Sequence, residues 1–466
     1  MPKTLTAEEK HRKMMETPIP RLVFNLATPT VASMLVSSLY NMADTYFVGL
    51  LGSASATAGV GVVFPLMAVL QAVGFMFGHG SGNHMSRSLG ARDTGDAERM
   101  ASTGFFSALI AGAVLGVLGL IFLDPLVYLL GSTPTIAPHA MDYMFYILIG
   151  GPWFVSSLVL NNQLRFQGSA FYSMLGIISG AVLNVALDPL FIFVLGMGVG
   201  GAALATATSQ LVSFVVLLLG TRRGGNIPIR LRAFTPTREK FREILRGGIP
   251  SLFRQGLGSV SIMLLNTAAA GYGDAAVAAM SIVSRVTQFL ASAVVGFGQG
   301  FQPICGFNYG GGHYHRVREA FWFCVKVSFV FLLVVSGLAM AFAPRVIWVF
   351  LMDDPEVIRI GAQALRQQCA VLPLFSFVVV SNMMLQTMGL AGKASLMAAS
   401  RQGLFLIPAV LVLPRVFGLF GVQMSQPVAD VLSFVLALPL ALGVLRELKE
   451  GRGCALPRVD HAGDME

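Results

Sequence analysis

The sequence predicts an all-α integral membrane protein: about twelve transmembrane helices in two six-helix bundles, related by a pseudo-two-fold axis along the membrane normal. Three observations carry this. Of 466 residues, 55% are hydrophobic and only 12% are charged, and the mean hydropathy of +0.71 lies well outside the range of soluble globular chains. Apolar runs long enough to cross a bilayer recur along the whole chain. The chain also repeats itself: Pro29 and Pro250, Asn161 and Asn382, and Gly168 and Gly389 are each 221 residues apart, and Gly201 and Gly421 are 220 apart. An even number of spans per half inserts both halves the same way up, which sets the direction of the axis and fits a transporter.

Residues 1–20 read as a short solvated or interfacial helix, with Lys3, Lys10, Arg12 and Lys13 beside Glu8 and Glu9. No apolar core precedes Pro18, so no cleavable signal peptide is expected. The first bundle occupies 21–220, with apolar segments at 22–47, 56–80, 100–123, 140–164, 171–195 and 200–220. A polar linker, 221–243, carries Arg222, Arg223, Arg230, Arg232, Arg238, Lys240 and Arg242. The second bundle occupies 244–446, with segments at 244–272, 275–302, 320–343, 360–388, 396–416 and 421–445, followed by a tail, 447–466. Basic residues crowd alternate connections: Arg87, Arg92 and Arg99 in the second, Arg165 in the fourth, Arg316 and Arg318 in the eighth, Lys393 in the tenth, and Arg446, Lys449 and Arg452 in the tail. Only Arg345, Arg359 and Arg415 break the alternation. Both termini are therefore expected in the cytoplasm, with the chain multi-pass in the cell (inner or plasma) membrane.

Other signals are weaker. The net charge of +9 is explained by this loop distribution and does not call for nucleic acid. Cys305, Cys324, Cys369 and Cys454 have no paired spacing and read as free thiols. The glycines of Gly78 to Gly82 and of Gly296 to Gly300 resemble a dinucleotide-binding spacing, but no strand precedes them; close helix packing is the simpler role. His79 and His84 have no third ligand near in sequence, so no metal and no cofactor is expected beyond a coupling ion, H⁺ or Na⁺.

The most informative stretch is Asn184 to Pro189 (NVALDP), inside the fifth apolar run. An ionised aspartate near the centre of a membrane helix costs roughly 2.5–3.5 kcal/mol, so Asp188 needs a compensating role. Asn184 lies four residues earlier on the same helix face, where its amide can donate to the carboxylate. Pro189 has no N–H for the Val185 carbonyl, which leaves an acceptor free and should bend the helix. Acid, amide and loosened backbone suit a proton or a small cation.

These residues, with several others, resemble the multidrug and toxic compound extrusion (MATE) transporters, in their bacterial branch. Leu39 to Gly49 (LYNMADTYFVG) is similar to the family's first-helix signature, and Asn184 to Pro189 to its fifth. Ser86 to Ala91 (SRSLGA), Gly298 to Pro303 (GQGFQP) with Gly306 to Gly310 (GFNYG), Ser400 to Pro408 (SRQGLFLIP) and Gln426 to Asp430 (QPVAD) extend the likeness over roughly residues 17–446. The resemblance implies two bundles around a central cavity, exporting cationic or amphiphilic compounds in exchange for H⁺ or Na⁺. It implies ion coupling by Asp44, Asn184 and Asp188, with Thr206 about 9 Å into the sixth helix at 1.5 Å per residue. Asn161 resembles a member of this network, but counted from the outer start of the fourth helix it should fall near the inner face, unless a kink at Pro152 shortens the path. The acids that some members carry in the seventh and tenth helices are missing from 254–261 and 375–386, which shifts coupling to the first bundle. Asp430 is expected to form a structural ion pair with Arg285, Arg401 or Arg254.

The expected activity is secondary active antiport by alternating access, by a monomer whose partners are small-molecule organic cations and membrane lipid. Tyr40, Asn41, Phe64, Met67, Phe154, Met263 and Met280 are candidate cavity residues, since aromatic and methionine side chains adapt to varied ligands. A lipid-linked oligosaccharide flippase is the alternative and would need a more cationic cavity. An integral-membrane enzyme would need a clustered catalytic set at one membrane face, and the sequence offers none.

Overall fold

A computed structural model of the chain describes residues 6–350 and 354–451. Lys3, Arg452 and Cys454 lie outside the described residues, and so does the side chain of Asn41. The described elements are helical throughout. The first half comprises α1 (Ala7–Glu16), α2 (Ile19–Gly49), α3 (Ala54–Gly90), α4 (Thr94–Ile121), α5 (Leu123–Leu129), α6 (Ala137–Ile149), α7 (Gly151–Phe166), α8 (Ala170–Pro189) and α9 (Gly198–Thr221). The second comprises α10 (Arg238–Ala270), α11 (Asp274–Gly310), α12 (Tyr314–Ala341), α13 (Ala343–Phe350), α14 (Pro355–Val371), α15 (Phe375–Thr387), α16 (Ala391–Ala399), α17 (Leu406–Phe417) and α18 (Leu419–Lys449).

Ten described helices are long and apolar enough to cross a membrane, and α6 with α7 makes an eleventh span bent by 54°. The bend falls at Gly150 and Pro152, where the ring denies the preceding turn its hydrogen bond. The equivalent proline of the second half, Pro373, sits in a 3₁₀ turn joining α14 to α15. The twelfth span is α10, 33 residues long, made less apolar by Arg254 and Gln255 and by Ser251, Ser259 and Ser261. As Pro189 anticipates, α8 gives way directly after it to a π-helical turn, Leu190–Val194.

The two bundles meet along α3 against α10 and α2 against α11. The glycine clusters lie inside α3 and α11, which run eight to ten residues past the apolar stretches. A Cβ on Gly300 would come within 2.5 Å of the Ala27 backbone, one on Gly296 within 2.9 Å of Val31, and one on Gly310 would overlap the Arg87 carbonyl. Glycine is required there by close approach between bundles. The Gly300 and Gly310 contacts fall toward the face of the molecule that carries both ends of the described chain, where Met14 and Leu448 share one apolar cluster, and the Gly296 contact lies farther in, beside the cavity-lining residues Thr30 and Val295. Toward the opposite face, Cβ atoms at Gly61, Gly256 and Gly258 would meet open space. The bundles are thus closed on the terminal face, with a cavity between them farther in, whose wall includes Gly258.

Polar contacts reinforce the closed face. The Arg87 Nη1 donates to the Thr387 carbonyl at 2.6 Å and Nη2 lies 3.6 Å from Glu243. Asp96 accepts from Lys240 and stands 2.7 Å from His84. The capping box of Thr6 and Glu9 starts α1, which buries Met14 and Lys10 between the bundles. Lys10 donates to Ser169 at 2.9 Å, while the Met14 carbonyl accepts from Asn308 of α11 at 3.3 Å.

Candidate functional site: an acid pair behind a central cavity

Within the first bundle, α2, α6, α8 and α9 each send one or two polar side chains to one buried spot. Asn184 Nδ2 donates to Asp188 Oδ1 and to Thr206 Oγ1, both at 3.3 Å. Asp188 is 0% exposed, Asn184 2% and Thr206 6%. Asp44, from α2, is close enough to Asp188 to act on it electrostatically, and both acids act on Tyr40 and Tyr143. Asp188 Oδ2, Asp44 Oδ1 and Asn184 Oδ1 are buried without a hydrogen-bond partner. Three inward-facing acceptors lacking a donor are unusual in a protein interior, where buried polar atoms are normally paired. Carboxylate and amide oxygens of this kind are able to accept from a proton or a small cation.

The structure thus brings Asp44, Asn184, Asp188 and Thr206 together. It does not bring Asn161 to them: that amide donates to the Ser173 carbonyl at 3.2 Å and to its hydroxyl at 2.6 Å. Tyr143 was not apparent in the sequence, because the break between α6 and α7 disrupts any count of helical register from one to the other.

A cavity of about 570 Å³ lies between the bundles. Tyr40, Asn184 and Thr206 form part of its wall, so the acid pair sits one side chain behind it. Phe154 also lines it, but four expected cavity residues do not. Met67 and Met280 pack into the apolar cores of the two bundles. Phe64 is exposed one turn beyond the lining residue Ala68, and Met263 is exposed beside the lining residue Ile262. Sequence reports how apolar these residues are but not which side of their helices faces the cleft.

Among the described residues lining the cavity, three are cationic, Arg165, Arg254 and Arg401, and none is a carboxylate. Arg165, expected in a cytoplasmic connection, lies instead within α7 and is 2% exposed. It donates to Gln299 Oε1 at 2.7 Å and to Asn162 Oδ1 at 2.6 Å, and His79 Nε2 lies 3.4 Å away. His84, by contrast, belongs to the closed face. Polar lining residues on the last turn of a span are readily mistaken for loop residues; the spacing of four from Asn161 is a signal that would have put Arg165 on the same face.

In the second bundle, Asp430 is 2% exposed and fully engaged. It accepts from Arg401 Nε at 2.6 Å, from Gln368 at 2.7 Å and from Gln426 at 2.9 Å, and the Arg401 guanidinium lies 4.3 Å from the centre of the Phe375 ring. Arg285 takes no part, since its side chain is exposed; Arg254 faces Asn382 instead.

A family model, MatE, matches residues 29–190 and 250–411, one copy in each half and 221 residues apart. The chain is 28% identical over 427 residues to the multidrug export protein MepA of Staphylococcus haemolyticus, covering 91% of this chain and 93% of that one. Among solved structures, an outward-facing multidrug resistance MATE family transporter of the MOP superfamily aligns with a TM-score of 0.88 at 27% identity, covering 94% of this chain and 98% of that one. A MOP superfamily transporter from Pyrococcus furiosus, described as having a binding pocket of reversed polarity that suggests a different function, aligns with a TM-score of 0.87 at 28% identity and covers 94% and 98%. With its twelve-span repeat and its buried acid pair beside a central cavity, this chain belongs to the MatE family of multidrug and toxic compound extrusion transporters.

Proposed function

We propose that the chain is a secondary active antiporter that exports amphiphilic organic compounds in exchange for H⁺, with Na⁺ as the other candidate ion, by alternating access. Members of the family are transporters, not enzymes. In this reading residues 21–220 and 244–446 act as the two moving bodies, joined by 221–243, with both termini in the cytoplasm of a cell whose plasma membrane the chain spans. The closed terminal face is then the inner one, and the proposed state is outward-open.

The observation that carries the proposal is the acid pair: buried acceptors without donors, separated from the cavity only by Tyr40, Asn184 and Thr206. Occupancy of Asp44 and Asp188 by an ion changes the charge behind that wall. A ligand or ion shifts a two-state equilibrium only by its differential affinity for the two states, and this site supplies such a difference. The π turn after Pro189 supplies a backbone able to rearrange. Among the described residues of the cavity wall no carboxylate supplies a counter-charge for organic cations, so the proposed substrates are amphiphiles without a fixed sign.

Transport by purified protein in liposomes tests the reading. An imposed pH or Na⁺ gradient should drive uphill movement of a fluorescent amphiphile, and Asp188→Asn should abolish that drive while leaving insertion and folding intact. Uphill transport undiminished in Asp188→Asn contradicts it.

A further inference from the structure

We propose that Arg165 and Arg254, one from each bundle, form an anion-binding subsite in the central cavity that takes the phosphate, carboxylate or sulfonate head of an anionic or zwitterionic amphiphile. The proposal rests on the export reading above and adds the substrate's charge to it.

The arginines of this one cavity differ in their partners. Arg401 has a carboxylate partner, Asp430, at 2.6 Å. Arg165 and Arg254 form no ion pair among the described residues and hold only neutral groups. Arg165 reaches the amide oxygens of Gln299 and Asn162, and its Nε is buried with no partner. Arg254 has a single long contact to Asn382 Oδ1 at 3.5 Å. The two guanidinium groups also repel one another across the boundary between bundles. Buried charge is normally paired or strongly destabilising, and like charges interact more strongly where water is scarce.

An anion between them would offset both the missing partner and the repulsion. The guanidinium fork matches the planar or tetrahedral oxygens of carboxylate and phosphate, with two parallel N–H donors. Arg254, whose one contact is long, keeps most of its fork for such an anion, while the unpaired Nε of Arg165 leaves that buried guanidinium short of a partner. Apolar lining residues such as Phe75, Phe154 and Ile262 leave room for a hydrocarbon body beside the charged head. Because α7 and α10 belong to different bundles, an anion held by both arginines would span the seam that alternating access must open and close.

The test is equilibrium binding without any ion gradient, so that its outcome is separate from whether transport is coupled. Wild-type protein in neutral phosphatidylcholine nanodiscs is titrated with octyl phosphate and with octyltrimethylammonium, which share a tail and differ in sign. Octyl phosphate is expected to bind at least ten-fold tighter. Arg254→Gln is expected to remove that preference, and Arg254→Lys, which keeps the cation but loses the fork, to retain part of it. Equal or inverted preference in the wild-type chain, or a preference unchanged in Arg254→Gln, overturns the subsite. Dihexanoyl phosphatidate as a third probe identifies the source: tighter binding than octyl phosphate supports the subsite as one for lipid head groups, weaker binding supports it as one for single-chain organic anions.

Discussion

Asp188 in the first bundle and Asp430 in the second are equally withdrawn from water, 0% and 2% exposed, yet their surroundings are opposite. Asp430 has an arginine and two glutamines on its oxygens. Asp188 has one long amide contact, an oxygen with no donor and a second acid nearby. A carboxylate whose acceptor sites are all filled by fixed donors has nothing left to exchange. One left partly unfilled beside a cavity can take up and release an ion. The repeat gives two bundles built alike, and the polar side chains set them apart: in the function proposed above, the first would exchange the ion while Asp430 of the second is held by its own neighbours.

Substitutions sharpen this contrast. Asp44→Asn is expected to lower gradient-driven transport by a hundred-fold or more with little change in the thermal stability of the solubilised protein, whereas Asp430→Asn should do the reverse in kind. Removing one partner of a buried ion pair costs about 3–5 kcal/mol, so Asp430→Asn should lower the unfolding midpoint clearly, and Arg401→Met combined with Asp430→Leu should recover much of the loss. Thermal unfolding in detergent, alongside liposome transport, reads both. If Asp430→Asn abolishes coupling at unchanged stability, the division between bundles fails.

Next in size is the closed face. Gly300→Val forces a side chain against the Ala27 backbone, and overpacking of this kind costs typically about 1–3 kcal/mol. The expected result is a shift away from the outward-open arrangement, seen as a longer distance between spin labels placed on α2 and α11 near the terminal face. No change in that distance would mean that the glycine contact does not control closure.

Much of this arrangement was legible from the chain. The NVALDP stretch placed Asn184 against Asp188, and the repeat anticipated the spans; the break between α6 and α7 entered only as the exception of a kink at Pro152 within a single 140–164 segment. Arg401 was one of three proposed partners for Asp430. What stayed hidden depends on packing between distant helices. His79, Asn83 and Arg87 look like loop polarity, but all three are buried: His79 packs against Phe166 of its own bundle, and Arg87 crosses to the Thr387 carbonyl of the second. The same blindness put Arg165 in a loop and Met67 and Met280 on the cavity wall. A helix's apolar content does not say whether its neighbour is lipid, another helix or open cavity.

The smallest expected effect concerns α1, which links the bundles on the closed face. Burial, with a lesser contribution from Lys13, lowers Lys10 from its ordinary 10.5 to about 7. The docked helix then binds fewer protons than the undocked one, so docking is weakest below pH 7 and strengthens as pH rises from 7 toward 10.5. Intrinsic-rate-corrected hydrogen exchange across 7–16 should slow over that window, and Lys10→Met should remove the dependence.

The most direct measurement is infrared difference spectroscopy of the protein in nanodiscs during a pH titration, reading the band of protonated carboxylic acid. If Asp44 and Asp188 share an exchangeable proton, a titrating band appears in the wild-type chain, disappears in Asp188→Asn, shifts in Asp44→Asn and is unaltered in Asp430→Asn. A band that survives Asp188→Asn unchanged, or that vanishes only with Asp430→Asn, contradicts the account.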